Sequence, residues 1–342
     1  MNHLDIFAGD AFSVVSLTEA INKLPYVPAR IGQMGLFRRR GVTTTKISVE
    51  EKNGVLRLLP TKPRGSAGST RSRPKRTKRV FEAPHIPHDT EILADDLQGV
   101  TAFGSGVDNA AARMEAVSDV VNEELTAMRQ DHEVTHEHHR IGAIRGQVLD
   151  ADGTTVIHDL FQEFGITQTS IAFNFGAGLQ DMKQKSLDVI RTIRNNLGGT
   201  PLTGVHAFCG DDFFDAFVSH ESVKGAFERF QENQFARTQQ ALQIGGFEFA
   251  GITWENYRGS VGNVDFIPTG TARFIPVGSP GLFTMYDAPA DFVEAVNTPG
   301  KPTYAKQERM KWDKGVEIHT QSNPLAMCNR PAVLVEGVLT TS

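Results

Sequence analysis

The longest uninterrupted pattern of apolar and polar positions lies over residues 108–141, a stretch with no proline or glycine before Gly142. Apolar or soft residues recur at Met114, Val117, Val121, Leu125 and Met128, three or four apart, while Glu115, Asp119, Glu123, Arg129 and Asp131 fall off that stripe. Residues at those spacings are neighbours on a helix surface, so the pattern predicts one amphipathic helix. Asp108 is placed to cap its first turn and Gly142 to end it. At ~1.5 Å per residue the helix would be about 50 Å long, against roughly 11 to 12 residues for an average one. That length with so narrow a stripe predicts a girder on which other elements lie.

The segments on either side follow other periods. Residues 17–23 predict a short helix stopped by Pro25, after which Pro28, Gly32 and Gly35 break the chain. The first forty residues hold too little pattern for a core of their own. They are expected to be an arm lying on something else, anchored by Phe7, Phe12, Ile21, Leu24, Tyr26 and Phe37. From Val42 the period is two, in TTTKISVEE and NGVLRLLP, and the Asn53-Gly54 pair between them predicts a hairpin. Extended structure resumes with VFEAPHIPHDTEIL before the girder. Beyond the girder a second hairpin is expected around Ala151-Asp152-Gly153. It is followed by a helix over 179–197 ended by Gly198-Gly199, a buried strand in GVHAFCG and a helix opening in GDDFFDAFVSH. Residues 202–289 then mix short strands with turns, and 293–339 return to strand-like alternation. The order is that of an α+β chain.

Composition narrows the function classes. With 342 residues there is room for two or three lobes, and 39% hydrophobic residues suffice for their cores. Cys209 and Cys328 are the only cysteines. Two isolated thiols suit a reducing compartment and supply neither a disulfide framework nor a zinc knuckle. Neither a signal peptide nor a span of ~18 apolar residues is present, so the protein is expected to stay in the cytoplasm where it is made. A net charge of -5 gives no generally basic nucleic-acid binder, but the charge is uneven. TKPRGSAGSTRSRPKRTKR carries eight Lys or Arg, no acid and nothing that can be core. Three readings of that run compete: a nucleic-acid patch, a solvated linker, and an electrostatic arm that docks on an acidic neighbour.

Three motifs point to chemistry. His132-Glu133-Val134-Thr135-His136 matches H-E-x-x-H, in which two imidazoles one turn apart hold zinc and the glutamate is the base. Four histidines in eight residues make a chance match easy, and no third ligand follows in a familiar register. Asp150 and Asp152, in VLDADGT, with Asp211, Asp212 and Asp215, resemble the nucleophile and metal acids of haloacid dehalogenase-type phosphohydrolases. That chemistry needs a parallel strand ahead of the first aspartate, whereas a hairpin is expected here. Gly104-Ser105-Gly106 lacks the preceding strand and third glycine of a dinucleotide loop, and reads as a helix entry.

The order of arm, extended loop, spine helix, α+β lobe and returning strands resembles the Hong Kong 97-type capsid fold of tailed phages. SLTEAINKLPYVPARIGQMGLF, LPTKPRG, RGQVLDADG, HAFCGDDFFDAF, NTPGKPTYAKQ and KGVEIHTQSNPLAMCNRPAVLV resemble the lambda-type major capsid protein E family in particular. The resemblance implies an arm over 1–40, an extended β-hairpin loop over 41–87 and a peripheral domain over 88–171, with spine helix 108–141 and hairpin 144–158. An axial domain over 172–288 and a return to the peripheral domain over 289–342 complete the chain. It implies a major head protein that self-assembles into hexamers and pentamers of an icosahedral shell, is built in the host cytoplasm and ends in the virion. No catalytic, cofactor or metal site is expected. The implied partners are other copies of the chain, a decoration protein, a scaffolding protein and packaged double-stranded DNA held without sequence readout, with no membrane. The candidate inter-subunit contacts are Arg64, Arg71, Arg73, Lys75, Arg76, Lys78 and Arg79, facing acids such as Asp119, Glu123, Glu124, Asp131, Glu82 or Asp95. The alternative carried beside this is a metal-dependent hydrolase, a haloacid dehalogenase-like phosphatase or an HExxH zinc peptidase.

Overall fold

The expected girder is a single helix, Ala110–Arg145, in a computed structural model that describes residues 14–23, 30–52, 76–96, 110–176, 181–235, 246–261 and 264–340. Asp108 and the Gly104-Ser105-Gly106 entry lie outside the described residues. Gly142 does not stop the helix. A Cβ there would meet Val148 Cα at 2.8 Å and the Gln147 carbonyl at 2.9 Å, so the glycine lets the next strand pass close against the helix. The stop is Gly146, whose φ of 85° takes the left-handed conformation that side chains resist.

The chain divides into two compact units. The first comprises Met1–Ile47, Val80–Glu137 and Thr284–Ala326. In it, Tyr304–Arg309, Gly315–Ser322 and Ile86–Leu93 form an antiparallel sheet in that order. The helix stripe Val117, Val121, Leu125 and Met128 packs with Ile92, Ala305, Val316 and Ile318 of the sheet and with Leu17 and Ile21 of the arm helix Val14–Lys23. Each such side chain stabilises the fold by about 1.5–3 kcal/mol on burial. The arm helix also covers the sheet's free edge. The Thr18 hydroxyl donates to the Ala305 carbonyl (3.3 Å) and accepts from its N–H (3.2 Å), and the Asn22 amide donates to the Thr303 carbonyl (2.8 Å). Side chains thus satisfy strand groups that would otherwise invite another strand. A second sheet sets Arg38–Gly41 parallel to Phe283–Asp287, with Pro324–Cys328 beyond. Of the expected arm anchors, Ile21 is fully buried and Phe37 partly so, while Phe7, Phe12, Leu24 and Tyr26 lie outside the described residues.

The second unit comprises Ser48–Arg79, His138–Phe283 and Met327–Ser342. Its six-stranded mixed sheet runs Thr169–Asn174, Val335–Thr340, Thr271–Val277, Gly204–Cys209, Ile252–Asn256, Phe247–Phe249. Aromatic rings fill its core, with Trp254 stacked on Phe217 at 3.9 Å and Phe173 edge-on to Phe213 at 5.3 Å. Met182–Leu197 is capped by Asp181, whose carboxylate accepts the Lys183 N–H at 2.9 Å, and ends at Gly198, φ 55°. Asp211–Ser219 is followed by a helix the sequence pattern did not announce, Glu221–Phe235. Phe227 and Phe230 both pack on Phe247, at 5.2 and 5.3 Å. The expected hairpin pairs Gln147–Leu149 with Val156–Asp159 around Gly153, φ 70°.

In the extended excursion Lys46–Lys52 pairs with Arg76–Glu82. The Asn53-Gly54 turn, the strand NGVLRLLP and the basic run as far as Lys75 lie outside the described residues. Among the described residues no helix is long and apolar enough to cross a membrane.

Candidate functional site

Of the seven basic candidates, Arg64, Arg71, Arg73 and Lys75 lie outside the described residues, and Arg76 opens the strand Arg76–Glu82. Lys78 is exposed. Arg79 is engaged inside its own chain. Its Nε donates to the Glu163 carbonyl (2.7 Å) and its Nη2 to that of Phe164 (3.2 Å), with the guanidinium carbon 4.7 Å from the centre of the Phe164 ring. Glu163 and Phe164 close the short helix Leu160–Phe164, so the cation satisfies carbonyls left over at a helix end. The root of the excursion is thereby tied to the hairpin unit behind it.

Two histidines of the spine helix, His132 and His136, face the sheet of the first unit. His132 Nε2 lies 3.0 Å from the Thr320 hydroxyl and His136 Nε2 2.7 Å from that of Ser322. Each hydroxyl has its own acceptor: Thr320 donates to the His88 carbonyl (3.0 Å) and Ser322 to that of Pro302 (2.5 Å). The oxygens therefore receive, and both Nε2 atoms carry hydrogen. The spacing follows from geometry: four residues advance a helix by about 6 Å and two advance a strand by about 6.6 Å. Two histidines one turn apart match two hydroxyls on one side of a strand, which accounts for the H-E-x-x-H pattern without zinc. Burial, with His88 next in weight, pushes the pKa of His132 from 6.5 to about 4 against the pull of Asp131 and Glu133. It is a neutral imidazole with its proton committed to a threonine.

Glu133 and Glu137, from the same stretch, hold the arm. The Glu137 carboxylate accepts the N–H groups of Ile31 (2.6 Å) and Gly32 (3.2 Å), while Arg39 pairs with Asp287 (2.9 Å) and lies 3.5 Å from Glu133. Arg129 donates to the Ile21 carbonyl in the last turn of the arm helix. Charge-assisted bonds of this kind contribute roughly 1.5–3 kcal/mol each when buried. Their role was not read from the sequence, because a buried glutamate looks like any other until its amide partners, a hundred residues away, are placed.

Of the aspartates of the phosphohydrolase reading, Asp150 and Asp152 serve a turn and Asp211 bonds other side chains. Asp152 accepts from the Thr154 and Thr155 N–H groups (both 2.8 Å) and from the Thr155 hydroxyl (2.6 Å), bonds that hold its carboxyl far below the usual range. Asp150 accepts the Ala151 N–H at 2.8 Å. Asp211, at the start of its helix, binds the Asn256 amide (2.8 Å) and the Arg258 guanidinium (2.9 Å), which lower its pKa. Asp215 is exposed further along that helix. Among the described residues no three His, Cys, Asp or Glu side chains converge as a ligand set.

The sequence pattern described as phage major capsid protein E matches residues 13–339. The chain belongs to that family. It is 26% identical to the major capsid protein of Pseudomonas phage KPP10 over 345 residues, covering 95% of this chain and 96% of that one. It is 24% identical to the major capsid protein of Salmonella phage Felix O1 over 365 residues, covering 95% of each. A crystal structure of an E. coli prophage protein described as a capsid protein superposes with a TM-score of 0.54 at 13% identity, covering 96% of this chain and 99% of that one. The fold is that of Hong Kong 97-type phage capsids, and this member of the capsid E family is a major capsid protein of a tailed phage, a component of the virion. Nothing in the family match, or in the geometry of the described residues, supports the hydrolase alternative.

Proposed function

We propose that the chain assembles in the host cytoplasm into hexamers and pentamers of an icosahedral shell that encloses double-stranded DNA, and that it catalyses no reaction. The family match over residues 13–339 carries this reading. Residues 1–40 are the arm, 41–87 the extended loop, 88–171 and 289–342 the peripheral domain, and 172–288 the axial domain. Arg64, Arg71, Arg73, Lys75, Arg76 and Lys78 face carboxylates of a neighbouring copy. Arg79, bound to the Glu163 and Phe164 carbonyls, anchors the base of the loop from which they project. Each exposed pair is worth about 0–1 kcal/mol, and repetition over a shell makes the sum matter. DNA is contacted through phosphates without readout, and decoration and scaffolding proteins are further partners. Negative-stain microscopy and sedimentation of the expressed protein test the proposal. Closed particles are expected, and a uniform small oligomer at every concentration refutes it.

A further inference from the structure

The hairpin that joins Tyr304–Arg309 to Gly315–Ser322 carries Trp312 at its tip, 80% exposed and at φ 69°, ψ 21°. Most residues avoid that left-handed conformation, and a tryptophan in water forgoes a large apolar burial. The tip is nonetheless firmly built: the Met310 N–H bonds to the Gly315 carbonyl at 3.0 Å and the Ala94 N–H to the Lys314 carbonyl at 2.9 Å. Lys311 lies 5.7 Å from the indole centre, and Lys311 and Lys314 are both exposed. The tip is thus an exposed indole in the sequence Lys311-Trp312-Asp313-Lys314, two cations to one acid.

The same unit carries a surface of opposite character. Val293 is 86% and Val296 60% exposed, with exposed Asp291 and Glu294 beside them. This turn is seated on the small core of Ala290, Ala295, Tyr304 and Phe292, and Glu294 lies 3.5 Å from Lys306. Tip and patch do not cover each other within one chain, since both stand in solvent. Lys306 lies three residues before the end of its strand, so the tip lies at least about 10 Å further on.

We propose that the 311–314 tip seats Trp312 on Val293 and Val296 of a second copy of this chain, with Lys311 and Lys314 facing its Asp291 and Glu294. The proposal rests on the assembly reading above. The tip carries two lysines to one acid, and the patch carries Asp291, which accepts from Gln321 at 2.6 Å, and Glu294, 3.5 Å from Lys306, so both surfaces are apolar and the excess charge of the tip is opposite in sign to the carboxylates of the patch. Because the two surfaces differ, the contact is head-to-tail, the type that generates rings.

Two measurements test it. Trp254 is fully buried, so of the two tryptophans iodide reaches Trp312 alone. In unassembled wild-type protein iodide should quench the fraction of emission that Trp312→Phe removes, and in particles that quenching should fall several-fold. Quenching that persists unchanged in wild-type particles overturns the contact and leaves the tip to another partner. For the identity of the surface, Trp312→Cys is combined with Val293→Cys, the native Cys209 and Cys328 being buried. Disulfide-linked ladders are expected from the double variant and disulfide-linked dimers from mixtures of the two single variants, with no linkage from either single variant alone. Linkage in Trp312→Cys alone, or protected particles whose double variant does not link, overturns the assignment. Wild-type protein that forms no particles removes the assembly reading and this contact with it, whereas particles with an accessible Trp312 remove only the contact.

Discussion

Acid should loosen the first unit through His132. The imidazole is 2% exposed and bound to Thr320, and burial holds its pKa at about 4, against 6.5 in the unfolded chain. His88 and His319 oppose its charge from the two strands, while Asp131 and Glu133 favour it from the helix. A group whose folded pKa is depressed is neutral in the native state, so the unfolded chain binds the extra proton. Its contribution is complete above pH ~6.5 and is lost as the pH falls from there towards ~4. The loss amounts to about 2 kcal/mol at pH 5 and about 3 kcal/mol at pH 4. For a unit of this size that corresponds to roughly 4–8 °C in Tm at pH 5. The assay is thermal unfolding of the unassembled subunit at pH 7 and pH 5, beside His132→Gln, whose amide can still donate to Thr320 but cannot titrate. Wild type should lose about 2 kcal/mol more than the variant over that interval. Equal losses would refute the neutral-histidine account. Burial also pushes His139 to about 4, but in the second unit, and the variant leaves it untouched.

Other substitutions probe the rest of the chain. Leu125→Ala, at a fully buried stripe position, should destabilise the subunit by about 2–5 kcal/mol in denaturant titration. Glu137→Ala should cost about 2–3 kcal/mol and make the arm cleavable by protease, with Glu137→Gln milder, since the Ile31 and Gly32 amides lose a charged acceptor. Changing Arg73, Lys75, Arg76 and Lys78 together to Gln should lower particle yield, seen by sedimentation, and leave the subunit's circular dichroism unchanged. If such particles form normally but retain DNA poorly, the basic run faces the lumen instead. Trp312→Gly should raise subunit stability by about 0.5–1 kcal/mol by releasing the φ of 69°.

What could be read in advance divides along physical lines. Val117, Val121, Leu125 and Met128 were legible because a stripe reports burial directly, and so was Gly198, because a glycine stop is local, whereas Asp181, inside the span 179–197 expected to be helical, proves to be the cap of a helix that starts at Met182. Gly142 misled, because the sequence does not distinguish a glycine that ends a helix from one that admits a neighbouring backbone. The helix Glu221–Phe235 was missed: Gly225 interrupts it, and Val223, Phe227 and Phe230 lie among charges that resemble a turn. His132 and His136 satisfied two templates at once, since a zinc ligand pair and a pair bonded to alternate strand residues share one helical spacing. Only the identity of the facing side chains, Thr320 and Ser322, separates them. Arg79 and Glu137 act through backbone groups far along the chain, and no pattern of side chains records those.

The bond between Thr18 and Ala305 joins positions 287 residues apart. At a synthesis rate of roughly 5–20 residues per second, the arm helix waits about fifteen seconds to a minute after leaving the ribosome before its docking strand exists. During that interval Leu17 and Ile21 have no finished surface to cover, and the sheet edge they will close has not been made. A strand at 304–309 is what admits the helix at 14–23. The first unit therefore cannot be completed until the chain has been made as far as Ala326, and its earliest helix is held open for nearly all of that time.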